Sequence, residues 1–369
     1  MRKGKIKLMR GESDVFEISR GLSRLGWRSA DWLYKKGSSN SLVGLIYNIT
    51  RFRYDYNRDG LMMKIMGRNI KRKYCPSPDP LIVAHPTLVG ILKGKEELIY
   101  QHGEVVTPPS AVVKGAGTVI VPTERAAEPF REAGYGADSI FVSGLCVEPA
   151  LVKMAADALD RRLHRFENDP PLTGAFFSSG AEPDAHIKKI TAAAVSVVHY
   201  GGRAVIFARQ GGKLVREAVR TFKRNELMLD VKDTASLFIG SLPPAVLVVF
   251  NSRREETVFT SKLFPFFDYF VAPSHERTNW ALGTGLPMFV VEPAIGPFAP
   301  LNRGVLREHD VAELLTDFDQ TYSFGMNINR LRKKGRLEQM ARAGWHKFNI
   351  DGYNKIADFL IDKYVSPQT

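Results

Sequence analysis

Short runs of β-branched and aromatic residues alternate with amphipathic helical patterns through most of the chain. In the first half the apolar runs that predict strands fall at 5–9, 81–84, 97–100, 118–121 and 140–142. Helical periodicity separates several of them, as at 15–25 and 123–133. The stretch "ENDPPLTG" at 167–174 breaks the pattern, because paired prolines cannot continue a helix. A second series follows, with strands predicted at 174–177, 204–208, 227–230, 245–249, 269–272 and 288–291. "HIKKITAAAVSVVHY" and "KLVREAVRTF" are the clearest helices between them. The tail, 327–364, reads as two more helices.

Strands alternating with helices predict parallel sheets covered on both faces. The fold class is therefore α/β, with two doubly wound Rossmann-like domains facing each other across a cleft. The expected division is 1–166 for the first domain and 167–345 for the second. A final helical segment, 346–369, can return to the first domain.

Composition changes this picture little and charge changes it more. The 369 residues are 44% hydrophobic and 25% charged, enough for two cores. Cys75 and Cys146 are far apart and in no metal-ligand spacing, so neither a disulfide framework nor a metal site is expected. No apolar run reaches eighteen residues, and the basic start "MRKGKIKLMRGESD" has no apolar core after it. These features point to a cytoplasmic protein. The net charge of +13 is concentrated at the start: residues 1–80 hold about 18 Lys and Arg against about 7 Asp and Glu. Leu42, Leu45, Ile46, Leu61, Met62, Met63, Ile65 and Met66 are interleaved with those charges. Basic heads beside apolar side chains suit an anionic membrane surface, so a peripheral place on the inner face is expected. A solvated basic face is the plainer account of the same residues. Nucleic acid is not expected as a partner, since no helix-turn-helix, zinc or RNA-binding aromatic motif occurs.

In open α/β sheets ligands sit beyond the carboxyl ends of strands, where the strand order reverses. The loops there carry the candidate chemistry. Ser178, Ser179 and Gly180 form a small-residue loop whose N–H groups can meet a phosphate at the start of a helix. Arg209 and Lys213 flank Gly211-Gly212 and can meet an anion. Arg253 follows the next strand, where Glu255 and Glu256 can pair with it on the surface. In "SHERTNWALGTGLP", Ser274 and Thr278 can cap a helix, with His275, Glu276 and Arg277 lining the site. In the first half Glu12, Asp14, His85, His102 and Glu104 all stand just past predicted strands. A carboxylate or imidazole there can take a proton from an attacking hydroxyl.

These pieces together resemble a glycosyltransferase of the GT-B class, from "PLIVAHP", "YQHGEVVTPPSAV" and "VIVPTERAAEPFREAGYGADSIFVSGLCVEP" to Ser179-Gly180-Ala181 and 274–287. The lipid-acceptor group is the most similar: the peptidoglycan lipid-intermediate GlcNAc transferase and the diacylglycerol glycosyltransferases. The resemblance covers about 80 to 315 and rests on order and spacing. It implies inverting transfer from a nucleotide-sugar donor to a lipid-linked acceptor, with no essential metal and no cofactor. Glu12, Asp14, His102 and Glu104 are then the candidate bases. Ser179, Gly180, Arg253, Ser274, His275, Thr278, Asn279 and Asn302 are the candidate donor ligands. "RGESD" stands where the group has a glycine-rich loop and is nearer to lipid A disaccharide synthase. Trp280 stands where the group has a ribose-binding carboxylate, with Asn279 as a polar neighbour. Pro297-Phe298 precede Asn302 where the group reads sugar hydroxyls. Two other functions share the fold: a non-catalytic glycan- or lipid-binding protein, and a sugar-nucleotide 2-epimerase.

Overall fold

The computed structural model describes residues 15–37, 55–58, 60–233 and 242–364. The strand expected at 5–9 lies outside these residues, as do Glu12 and Asp14.

Two parallel sheets carry the chain. The first has β1 (Leu81–Val83), β2 (Leu98–Gln101), β3 (Thr118–Val121) and β4 (Ile140–Val142), in that spatial order. The second has β5 (Thr173–Phe177), β6 (Arg203–Arg209), β7 (Asp230–Lys232), β8 (Ala245–Phe250), β9 (Tyr269–Ala272), β10 (Met288–Val291) and β11 (Ala312–Leu315). Their order is β11-β10-β9-β5-β6-β8-β7, so the winding reverses between β5 and β9.

The apolar continuity of the strands has a simple cause. Both faces of the second sheet are covered, so both sets of alternating side chains must be apolar. Phe177, Phe207 and Phe270 enter one core, while Phe176, Ile206 and Val271 enter the core on the opposite face. On the first sheet Leu98, Tyr100, Val119 and Val121 meet the helices Leu61–Tyr74 and Glu124–Glu132. Ile99 and Ile120 point the other way, onto Ile356 of the last helix, Gly352–Tyr364. There Phe359 stacks on Phe141 at 4.3 Å, and Tyr364 donates to Glu97 at 2.8 Å.

Three details depart from the sequence reading. Ala312–Leu315 forms a seventh strand that the helix-favouring sequence "AELL" conceals. The 227–230 run is displaced to Asp230–Lys232. The tail holds three helices, with Gly335 at φ +69° separating Phe324–Lys333 from Arg336–Gly344.

The expected boundary at 166 also moves. Helix Pro149–Glu167 buries Leu151, Ala155 and Ala158 in one core of the second sheet and Leu159 and Phe166 in the other. Its Arg162 is fully buried, donating to the carbonyls of Phe267 at 3.0 Å and Gly285 at 2.8 Å. The chain thus crosses between sheets just after β4, and "ENDPPLTG" lies within the second unit. The return crossing runs beside the outward one. Leu145 N–H donates to Asn349 O at 2.7 Å, and Gly352 N–H donates to Leu145 O at 3.1 Å. Cys146 and Asp351 pair antiparallel between those bonds. Gly352 is required there, since a Cβ would stand 2.7 Å from the carbonyls of both Gly144 and Leu145.

Candidate functional site

A cleft of about 830 Å³ opens where the strand order of the second sheet reverses. Its second-sheet wall consists of the loops after β5, β6, β8, β9 and β10, and Glu104 enters from the loop after β2.

The loop after β5 presents Ser178, Ser179 and Gly180 to the cleft. It does not open a helix at that point. The helix starts at Asp184, so the N–H groups of Ser179 and Gly180 belong to a loop. The loop ends on Glu182, at φ +46°, whose carboxylate accepts from Lys213 N–H at 2.5 Å. The chain's own carboxylate therefore occupies the positive end of helix Lys213–Arg224. Lys213 is further engaged by Asp184 at 2.8 Å, and Arg209 lines the same part of the cleft.

After β8, Ser252 caps helix Arg253–Leu263 by accepting from Glu255 N–H at 3.2 Å. Glu255 reaches back to accept from Asn251 N–H, one residue before the cap, at 2.8 Å. That cap aims Arg253 at the cleft. Arg253 is bonded to Glu256 at 2.9 Å and to Glu276 at 2.5 Å. Glu256, expected on the surface, is buried and also holds Arg277. Four charged side chains thus form one network across two loops. In it Arg277 and then Arg253 hold the Glu276 carboxyl below the usual range, overcoming the upward push of desolvation.

Several expected donor ligands are elsewhere. Ser274 is buried and its hydroxyl donates to Ala299 O at 2.9 Å, so it neither caps a helix nor meets the cleft. The short helix Thr278–Gly283 has Arg277 at its cap position without a side-chain cap. Thr278 and Asn279 are buried beneath the wall. Trp280 is core: it meets Phe177, Phe264 and Phe270 edge-on and donates Nε1–H to Glu148 at 3.2 Å. The turn behind this helix requires Gly285, at φ +62° with Ala341 O 2.7 Å from where a Cβ would be. His275 does line the cleft.

On the first-sheet side, Glu104 is the group that reaches the cleft. Asn302, on helix Ala299–Glu308, donates to its carboxylate at 2.6 Å and to Ser274 O at 3.0 Å. Desolvation pushes the Glu104 carboxyl up to about 7, against the downward pull of the Asn302 hydrogen bond, with Glu276 adding to the rise. Such a carboxyl can release and recover a proton at neutral pH.

His102, two residues earlier, is structural. Its Nε2 lies 2.9 Å from Val106 O and 3.1 Å from Thr107 Oγ1, and its Nδ1 lies 3.3 Å from the Tyr100 hydroxyl. Burial pushes its pKa down to about 4, despite the Val106 carbonyl, and its ring packs against Phe130 and Phe298. With both nitrogens engaged away from the cleft it has no base role. His85 caps helix Pro86–Leu92, accepting from Thr87 N–H at 3.2 Å.

Of the expected residues, then, the cleft gathers Glu104, Ser178, Ser179, Gly180, Arg209, Lys213, Arg253, His275, Glu276 and Arg277. Asn302 acts through Glu104. Sequence reasoning missed Glu182 and Glu256 as site residues. The Ser-x-x-Glu cap from Ser252 signalled that the face bearing Arg253 and Glu256 begins at a strand end. Among the described residues no cluster of His, Cys, Asp and Glu could hold a metal ion.

No protein family and no curated protein matches this sequence. Solved structures do match in shape. A UDP-GlcNAc 2-epimerase from Neisseria meningitidis, bound to UDP-GlcNAc, superposes with a TM-score of 0.54 at 12% identity, covering 83% of each chain. A putative UDP-N-acetylglucosamine 2-epimerase from Listeria monocytogenes gives 0.53 at 11% identity, covering 84% of this chain and 80% of that one. S. aureus MnaA with UDP gives 0.51 at 12% identity, with coverage of 84% and 80%. At these identities the likeness concerns architecture: the protein has the GT-B arrangement of two Rossmann-like domains about a cleft.

Proposed function

We propose that this chain is an enzyme acting on a nucleotide-diphosphate sugar bound in the cleft, with Glu104 exchanging the proton, and that its reaction is inversion at C2 of the sugar. The observation that carries the reading is Glu104, a carboxyl with a pKa of about 7 facing the loops after β5 and β9. Inversion at C2 by proton exchange balances if the C1–O bond to the diphosphate breaks as the C2–H bond does, leaving a glycal and free diphosphate, and if re-addition returns the proton to the opposite face of C2 and the diphosphate to C1. One acid–base group active at neutral pH is the minimum such chemistry needs. The cleft volume falls in the range of about 300–1,000 Å³ usual for small-molecule sites. Three similarly shaped proteins, two named for UDP-N-acetylglucosamine and one bound to UDP, favour this substrate class over others.

A second reading, transfer of the sugar to a lipid-linked acceptor at a membrane, is favoured by one surface. Leu22, Leu25 and Trp32, 71%, 60% and 56% exposed, follow one face of helix Gly21–Gly37, and Gly26 of that helix abuts Met62 and Met66. Arg20, Arg24, Arg28, Lys64 and Arg68 are exposed around them. That combination suits an anionic interface.

Proton NMR of UDP-GlcNAc incubated with the protein in D₂O separates the readings. Deuterium entering C2 with formation of the 2-epimer supports inversion. UDP release that depends on added lipid acceptor supports transfer. A folded protein that produces neither sinks both.

A further inference from the structure

We infer that Arg277 is the residue that takes the diphosphate of the ligand, and that Glu256 holds it in place while the cleft is empty. The inference rests on the reading of the cleft as a nucleotide-sugar site and adds which side chain recognises the anion.

Position comes first. Arg277 follows β9, yet its guanidinium lies 4.2 Å above the ring of Phe177, the last residue of β5. It therefore spans the two strands between which the winding reverses, where an open α/β sheet receives its ligand. The guanidinium also lies 5.5 Å from the Trp280 ring. Trp280 is fixed from behind by Glu148 and by the phenylalanines around it. The indole that fills the core below the wall thus supplies a floor that presents a cation upward.

Unused capacity comes second. A guanidinium has five N–H donors in a fixed fork. One arm of Arg277 meets Glu256, and Nη1 is 3.9 Å from Glu276, beyond hydrogen-bond reach. The Nε–H is buried and makes no hydrogen bond. The second oxygen of Glu256 is taken by Arg253. Two arginines therefore share one carboxylate at the mouth of the switch point. A diphosphate entering between them can replace that carboxylate, with bidentate geometry suited to phosphate oxygens. Without ligand, Glu256 keeps Arg277 from being a buried, uncompensated charge.

The assignment places recognition on the diphosphate, which UDP and inorganic pyrophosphate share.

Isothermal calorimetry with two probes, UDP and inorganic pyrophosphate, tests this on the full chain and on Arg277→Gln and Glu256→Gln, each checked by thermal melting. The wild type is expected to bind both probes with affinities within tenfold of each other. Arg277→Gln is expected to lose at least about 30-fold for both. Glu256→Gln, which removes the competing carboxylate, is expected to bind both more tightly. Folded Arg277→Gln that binds like the wild type overturns the assignment, even if UDP binding itself upholds the nucleotide-sugar reading. Pyrophosphate binding that depends on Arg277, without any UDP binding, upholds the assignment while the nucleotide reading falls. If Arg277→Gln does not fold, Glu256→Gln decides, and unchanged or weaker binding overturns the proposal. Wild-type protein that binds neither probe overturns both.

Discussion

Glu104, on the first-sheet wall of the cleft, and Glu276, on the second-sheet wall, face the same space but answer to different neighbours. Glu104 has lost water and gained one amide, from Asn302, at 2.6 Å. Its charged form is thereby penalised more than it is supported. Glu276 sits beside two guanidiniums, whose charges outweigh its own desolvation. A carboxyl paired with a neutral donor becomes a proton carrier, whereas a carboxylate among arginines becomes a fixed charge. The division of labour proposed here, proton exchange on one wall and anion binding on the other, follows from those partners.

The largest effect that can break this comparison is on turnover. Glu104→Gln keeps the shape and a partner for Asn302 but removes the titrating group, and a loss of about 10²–10⁴ in kcat is expected. Steady-state rates with UDP-GlcNAc check it, and near-normal turnover would remove Glu104 from the chemistry.

Next is pH-dependent stability, where the two residues should act with opposite signs. The folded-state pKa of Glu104 is raised, so its contribution is fully present below about 4.5 and is lost as pH climbs through about 7. The amount is of order 3 kcal/mol by linkage. Glu276, with its pKa lowered, contributes above its unfolded value and loses that contribution as pH falls. Urea melts between pH 4.5 and 7.5 should show Glu104→Gln flattening the wild-type decline with rising pH. If Glu276→Gln flattened the same limb instead, the contrast would collapse.

A smaller change sharpens the comparison. Asn302→Leu removes the hydrogen bond that draws the Glu104 pKa down, so the acidic limb of the kcat/KM profile should move to higher pH. The same substitution orphans Ser274 O and should cost about 1–3 kcal/mol in a denaturant melt. The smallest effect belongs to Arg253, half exposed in its pairs, where Arg253→Gln should change stability by only about 0–1 kcal/mol.

Strand ends were the part of the site most open to sequence reading, because a strand buried on both faces announces itself as an apolar run. The predicted 118–121, 140–142, 269–272 and 288–291 coincide with β3, β4, β9 and β10. β11 was hidden, since pairing with β10 rather than local preference makes "AELL" extended. Glu104 could be found from its place after a strand. Its distinction from His102 could not, because their fates depend on Asn302 and Val106, partners that only the folded chain supplies. Ser274 misled for a related reason: a serine after a strand suggests a cap, but the carbonyl of Ala299 takes its hydroxyl. Glu256 was concealed by its spacing from Arg253, which on an exposed helix would mean only a surface pair.

The two crossings between the sheets carry a mechanical consequence. A single covalent link would let the two bodies swing and swivel about many directions. Here the outward and return segments lie side by side, tied by Leu145 to Asn349 and by Gly352 to Leu145. Two adjacent tethers bonded to each other define an axle. Rotation about it would widen the cleft only by breaking the bonds that bridge the two bodies, Glu104 to Asn302 and Arg125 to Glu308.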